Sequence, residues 1–421
     1  MKKHFLTILF ILLAFLSCKK ANLSNGEEAI SSSPQNELLR SETEIRDIAM
    51  ASISVFSNNA ETKCSEKRIS SIIPSAGTTK SEVVSPAFYV VNFDNEDGFV
   101  IVGARHDSPE VIVYSDKGNY DGKHSEIEAF NIYIDEIEGQ LASASSDIDI
   151  PTPDYYQTLT RETSEDNNPL ISVAWHQCQP FNWYCSSPFD NNVPAGCVAI
   201  AIAQIMSVYS SPASISLTYP NASNSTQTLE WTGMKQSSHY TAVHTNSCAA
   251  CTQLATLLRE IGNRVHMSYG VGGSGANSAL YAKSALASFG YKSSDYKDYS
   301  LTSVMNSLDA KHPVYIRAGN SDNEGHAWVV DGSKYTCQEK TTYRVSKNSR
   351  TEVAREYVKN WYLHFNYGWG GSSDGYYIAS TRKHGSGTII VGGSYDDHPV
   401  SMFTGVEGFN RNVKIIPDIC L

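Results

Sequence analysis

The chain is predicted to be α+β, built as two units, on three observations. Its 421 residues are long for one domain, and 41% of them are hydrophobic, ample for packed cores. Helical periodicity comes first and strand-like runs follow in the larger, C-terminal part, which is an α+β order. A polar stretch with Pro151 and Pro153, residues 142–161, separates that part from an earlier one.

At the N-terminus, Lys2 and Lys3 precede an apolar run from Phe5 to Leu16, then Ser17-Cys18. A charged start and an apolar stretch too short to span a bilayer read as an export signal. Residues 1–17 are therefore set apart from the fold. A small residue followed by Cys resembles a bacterial lipoprotein signal, whose cleavage would leave Cys18 lipidated. Phe15 and Leu16 depart from the usual lipobox, so plain secretion is the alternative. Membrane contact is expected only through that lipid. Residues 18–36, largely polar and Ser/Asn-rich, read as a tether.

Residues 37–141 read as a small α+β unit. Ser41-Glu42-Thr43-Glu44 is a capping box, and Ile45, Ile48, Ala49 and Val55 place a short amphipathic helix behind it. Ala87–Phe93 and Gly98–Gly103 are strand-like, with a hairpin loop between them. Ile127, Phe130, Ile134, Ile137 and Leu141 then recur at helical spacing. The linker 142–161 is expected to be exposed and mobile, with an activation cut after Arg161.

Residues 162–421 form the second unit. A helix follows Cys197, and another carries Leu254, Leu257, Leu258 and Ile261 on one face. Strands are expected at Pro313–Arg317, Ala327–Asp331, Tyr357–Tyr367, Gly375–Ile378 and Asn412–Ile416. The polar, charged stretch Gln338–Lys359 reads as an insertion.

A net charge of −11, with no Lys/Arg-dense stripe, argues against a nucleic-acid partner. Nine cysteines are a puzzle in an exported chain, whose oxidising surroundings permit disulfides. Cys178 with Cys185, or Cys248 with Cys251, are near enough in sequence to pair, and spacing alone does not decide between them. Cys248-Ala-Ala-Cys251 has redox-motif spacing but no βαβ surroundings, and it lacks the further ligands a zinc site needs. It reads as structural.

The chemistry centres on Pro194-Ala195-Gly196-Cys197-Val198-Ala199, which puts a cysteine at the first turn of an apolar helix. Free N–H groups at a helix start lower a thiol pKa and favour the thiolate. His326, in Gly325-His326-Ala327-Trp328, and Asn366, in Asn366-Tyr367-Gly368-Trp369-Gly370-Gly371, lie 129 and 169 residues downstream. Cys, then His, then Asn is the chain order of papain-like cysteine proteases. His326 would take the thiol proton and return it to the leaving amine. Should Cys197 not be the nucleophile, Cys185 is the next candidate.

These motifs, with Trp175-His176-Gln177-Cys178-Gln179-Pro180-Phe181-Asn182 before them, resemble the streptopain family of secreted bacterial cysteine proteases. The resemblance implies a papain-like domain, a helical half plus an antiparallel sheet half, preceded by an inhibitory pro-domain over residues 37–141. It implies that Gln177 supplies the oxyanion-hole amide, Asn366 orients His326 and Trp369 shields that bond. It further implies that Gly272, Gly273 and Ser274 wall the substrate cleft, where Gly325 lets a peptide approach closely. Protein or peptide substrates and the chain's own pro-domain are the expected partners. No metal or organic cofactor is implied. The chain departs from the family in having Tyr367 where a Trp is usual. Two other readings are a cell-wall peptidoglycan amidase or endopeptidase, and a lipoprotein binder without activity.

Overall fold

The computed structural model describes residues 39–57, 67–75, 86–106, 108–123, 125–143, 156–186, 192–218, 225–236, 248–319, 325–346, 349–384 and 413–421. All belong to one compact unit, Leu38–Leu421. The export signal, Cys18, the tether and linker residues 144–155 lie outside the described residues.

Helix α1 (Glu42–Phe56) starts on the capping box. Ser41 Oγ accepts from the Glu44 N–H at 3.3 Å, and Glu44 Oε2 accepts from the Ser41 N–H at 2.7 Å. Its buried stripe of Ile45, Ala49, Ile53 and Phe56 packs on strands β2 (Phe88–Phe93), β3 (Phe99–Gly103) and β4 (Val111–Ser115), which follow β1 (Ile69–Pro74). Helix α2 (Glu128–Ser143) buries Phe130, Tyr133, Ile134 and Ile137. Strand β5 (Tyr156–Asn167) comes next.

The helical half holds α3 (Cys197–Tyr209), the short strands β6 (Ser214–Ser216) and β7 (Thr226–Thr228), α4 (Trp231–Met234), α5 (Ala249–Arg264) and α6 (Ser278–Ser288). After β8 (Lys297–Asp298) and α7 (Leu301–Asp309) come β9 (Val314–Gly319), β10 (Gly325–Ser346), β11 (Ser349–Asn366), β12 (Gly375–His384) and β13 (Lys414–Ile416).

Among the described residues, eleven strands form one antiparallel sheet in the order β1-β2-β3-β4-β12-β11-β10-β9-β13-β8, with β5 paired to β10. The junction is β4 on β12, where Ser115 faces Gly375 and Val113 faces Tyr377. The N-terminal unit and the second unit thus share backbone pairing and one apolar cluster. In that cluster Phe56 packs edge-on to Tyr362 at 4.8 Å, and Tyr133 packs edge-on to Tyr377 at 4.9 Å. Tyr133 Oη also donates to the Ile378 carbonyl, and Tyr362 Oη to the Val111 carbonyl, both at 3.1 Å.

Two segments differ from expectation for one reason. The polar stretch Gln338–Lys359, expected only as an insertion, continues β10 and β11 as a long antiparallel arm. The stretch ending at Arg161 is not an irregular linker either: it is β5, with Arg161 opposite Glu339 on the arm. Strands that pair outside the core satisfy their backbone groups without an alternating apolar face, so hydrophobic periodicity does not announce them. Tyr156, Thr158 and Thr160, all good strand formers, carry the signal instead.

Candidate active site

Cys197 is the first residue of α3. Gly196 before it has φ +91°, and a Cβ there would meet Met267 Cε at 2.6 Å, so only glycine fits the turn. Residues Val198–Ser207 are all buried, which pins the helix in a second apolar cluster. The thiol receives backbone N–H groups from Ala327, Val198 and Cys197 itself. Ala327 follows His326 on β10, so the thiol lies against the strand that carries the histidine.

Burial works against the charged form of both groups. Burial pushes the Cys197 thiol above its ordinary value, and the Glu128 carboxylate adds to that. The helix-start N–H groups and Ala327 pull it down without winning. A lowered thiol is expected from the helix terminus; enclosure of the sulfur outweighs it. His326 is only 6% exposed, and burial drives its pKa down to about 4, opposed by Glu128 and by a hydrogen bond to the Tyr367 backbone. That bond favours the charged ring, so the Tyr367 carbonyl accepts it. Glu128 is the first residue of α2 in the N-terminal unit, and α2 packs on β10.

The bonds of Asn366 go elsewhere than His326. Asn366 Oδ1 accepts from Gln204 Nε2 at 2.6 Å and from the Gly368 N–H at 3.1 Å, while Asn366 Nδ2 faces the Val173 carbonyl at 3.4 Å. Both lone pairs of that oxygen are engaged. Trp369 packs edge-on to His176 at 4.9 Å. Gln177 is buried, and its carbonyl accepts from the Ala195 N–H at 2.9 Å, which fixes it two residues from Cys197.

The Gly-rich loop lies on the other side of Gly196, whose missing Cβ would come 3.2 Å from the Ser274 carbonyl. Gly272 and Gly273 have open space where a Cβ would project. The Cβ position of Gly325 is occupied by the Arg317 guanidinium, 2.6 Å away. Cys248 and Cys251 form a disulfide at the start of α5, whereas Cys178 and Cys185 are free thiols, one exposed and one buried. Among the described residues no group of three or more His, Cys, Asp or Glu could hold a metal ion.

A cysteine at a helix start, a histidine strand against it and an N-terminal unit paired to the same sheet find their counterparts among known proteins. Residues 175–377 match the Peptidase C10 family, and residues 41–141 match the Spi protease inhibitor family. The chain belongs to the streptopain family. Its similarity to streptopain of Streptococcus pyogenes is 24% identity over 381 residues, covering 80% of this chain and 84% of that protein. The thiol protease/hemagglutinin PrtT of Porphyromonas gingivalis is 26% identical over 364 residues, and the match spans 79% of this chain but only 38% of that longer protein. The fold is that of the prointerpain A fragment of Prevotella intermedia, with TM-score 0.50, 19% identity, and coverage of 83% of this chain and 98% of that one.

A C10 peptidase unit behind a Spi-type inhibitor unit makes this streptopain relative a cysteine protease zymogen. Three contributors to its site escape a reading by residue type. Tyr367 acts through its carbonyl, which any residue possesses. Glu128 reaches the site only by tertiary packing. Gln204 did leave a signal: it is a polar residue seven positions after Cys197, on a helix otherwise apolar or small.

Proposed function

We infer that this protein is an exported cysteine endopeptidase held latent by residues 37–141, anchored through a lipid on Cys18 until activation. Cys197 is the nucleophile and His326 the proton carrier, while Gln177 and the Cys197 N–H bind the developing oxyanion. The observation that carries this reading is the Cys197 thiol at the start of α3, hydrogen-bonded by Ala327 beside His326. Gly272, Gly273 and Ser274 leave an open wall next to Gly196, fit to receive an extended polypeptide. Cutting after Arg161 would sever the covalent link to the Cys18 anchor, and the catalytic unit would become diffusible once residues 37–141 dissociate from it.

A digest of casein set beside one of purified peptidoglycan tests the substrate class. Cleavage of casein by the activated chain, absent in Cys197→Ala, is expected. Release of stem peptides from peptidoglycan with casein intact would replace this reading with that of a cell-wall amidase or endopeptidase.

A further inference from the structure

Gln204 is the one long polar side chain on the buried face of α3, with 0% exposure. Burying an amide among apolar residues costs free energy unless it is hydrogen-bonded, and its bond is to Asn366 at 2.6 Å. Cys197, Ile200 and Gln204 follow one another at spacings of three and four, so they share a helix face. The turn after Asn366 presses on that same face: a Cβ on Gly368, at φ +73°, would meet Ile200 Cγ2 at 2.4 Å and lie 3.8 Å from Gln204 Oε1.

The turn is held at its other points too. The Tyr367 N–H donates to Asp374 Oδ1 at 2.8 Å, and the Gly370 N–H donates to the Trp175 carbonyl at 2.9 Å. Between the Gln204 clamp and the Asp374 clamp lies the Tyr367 peptide, whose carbonyl accepts from His326. Only the Gln204 clamp originates on the helix that carries the thiol.

We propose that Gln204 is a positioning residue for His326: through Asn366 it locks the Tyr367 turn onto the Cys197 helix and so sets the imidazole relative to the sulfur. The proposal rests on the Cys197–His326 reading above. Gln204 touches neither substrate nor a reacting atom. It fixes the distance between the two halves of the dyad, which sit on different elements, and misplacement by about 1 Å in such a site costs on the order of 100-fold in rate.

Gln204→Met keeps length and volume while removing the donor, and it places an apolar side chain on an apolar helix. The full chain, activated by its own processing, is compared with this variant in kcat, KM, thermal midpoint and the pH dependence of Cys197 alkylation by iodoacetamide. Expected are a kcat lower by roughly 10- to 100-fold, KM within about threefold and an unchanged or higher midpoint. Alkylation in the variant should move from a reactive plateau at mildly acid pH toward the profile of an ordinary thiol near pH 8.5. If the effect runs through Asn366, Gln204→Met combined with Asn366→Ala loses no more activity than Asn366→Ala alone. Wild-type kcat and alkylation profile in Gln204→Met overturn the proposal. So does a loss of activity that tracks a fallen midpoint there and in Gln204→Leu, which would make Gln204 a packing residue. A wild-type enzyme that itself alkylates like a free thiol overturns the Cys197–His326 reading and the proposal with it.

Discussion

Ser115 Oγ donates to the backbone carbonyl of Asp374 at 2.8 Å, joining the last strand of the inhibitory unit to the loop that follows Asn366. Lys117 Nζ extends the grip to the Gly370 carbonyl at 2.7 Å. Inhibitor and peptidase are thus joined at the loop that holds His326, by strand pairing and by a shared aromatic cluster.

A cut in the linker is therefore expected to leave the two pieces together. Each aromatic pair across the junction, such as Phe56 with Tyr362, is worth about 0.5–1.5 kcal/mol beyond its burial. Size-exclusion chromatography of freshly cut Cys197→Ala precursor should show one two-chain species at micromolar concentration. Separate elution of the fragments straight after cutting would refute this.

Glu128 raises the thiol pKa of Cys197 in the uncut chain, although burial is the larger cause. Glu128→Gln should let iodoacetamide label Cys197 in the precursor about two- to fivefold faster at pH 7, and still far more slowly than in the activated enzyme. An unchanged or slower rate would show that the carboxylate does not act on the sulfur.

Acid should weaken the precursor through His326. Its folded pKa of about 4 lies below the ordinary 6.5, so between those values the unfolded chain binds more protons. Stability therefore rises with pH through that window and is lost as pH falls, by at most about 3 kcal/mol. Asp374, pushed up to about 7 mainly by desolvation, works in the opposite direction, so the comparison must isolate the histidine. Urea midpoints of Cys197→Ala precursor with and without His326→Gln should diverge between pH 7 and pH 4.5, the His326→Gln chain losing less. Parallel curves would contradict the assignment.

Processing after Arg161 requires β5 to peel from β10, because Arg161 stands opposite Glu339 in a paired ladder. N-terminal sequencing of the active form is expected to begin at Glu162. A start upstream of Ala142, or full activity in the uncut chain, would remove Arg161 from the activation step.

The capping box at Ser41, the hairpin of Phe88–Gly103 and the Cys197 helix were legible because each has a short-range cause: a side-chain cap, a period of two, or an apolar run after a glycine. β5 and the long arm of β10 and β11 were not, since their polar strands are stabilised by one another and not by a core. At the site, Cys197 and His326 follow from motif and spacing. The engagement of Asn366 with Gln204 does not, because it depends on which helix face meets the turn after Asn366. That is a relation between elements far apart in the chain.

The most direct test of the whole account is labelling of the activated chain by the epoxide E-64, followed by peptide mapping. One equivalent on Cys197, with proteolysis lost in step and both absent in Cys197→Ala, is expected. Label on Cys185 or Cys178, or casein hydrolysis surviving in Cys197→Ala, would contradict it.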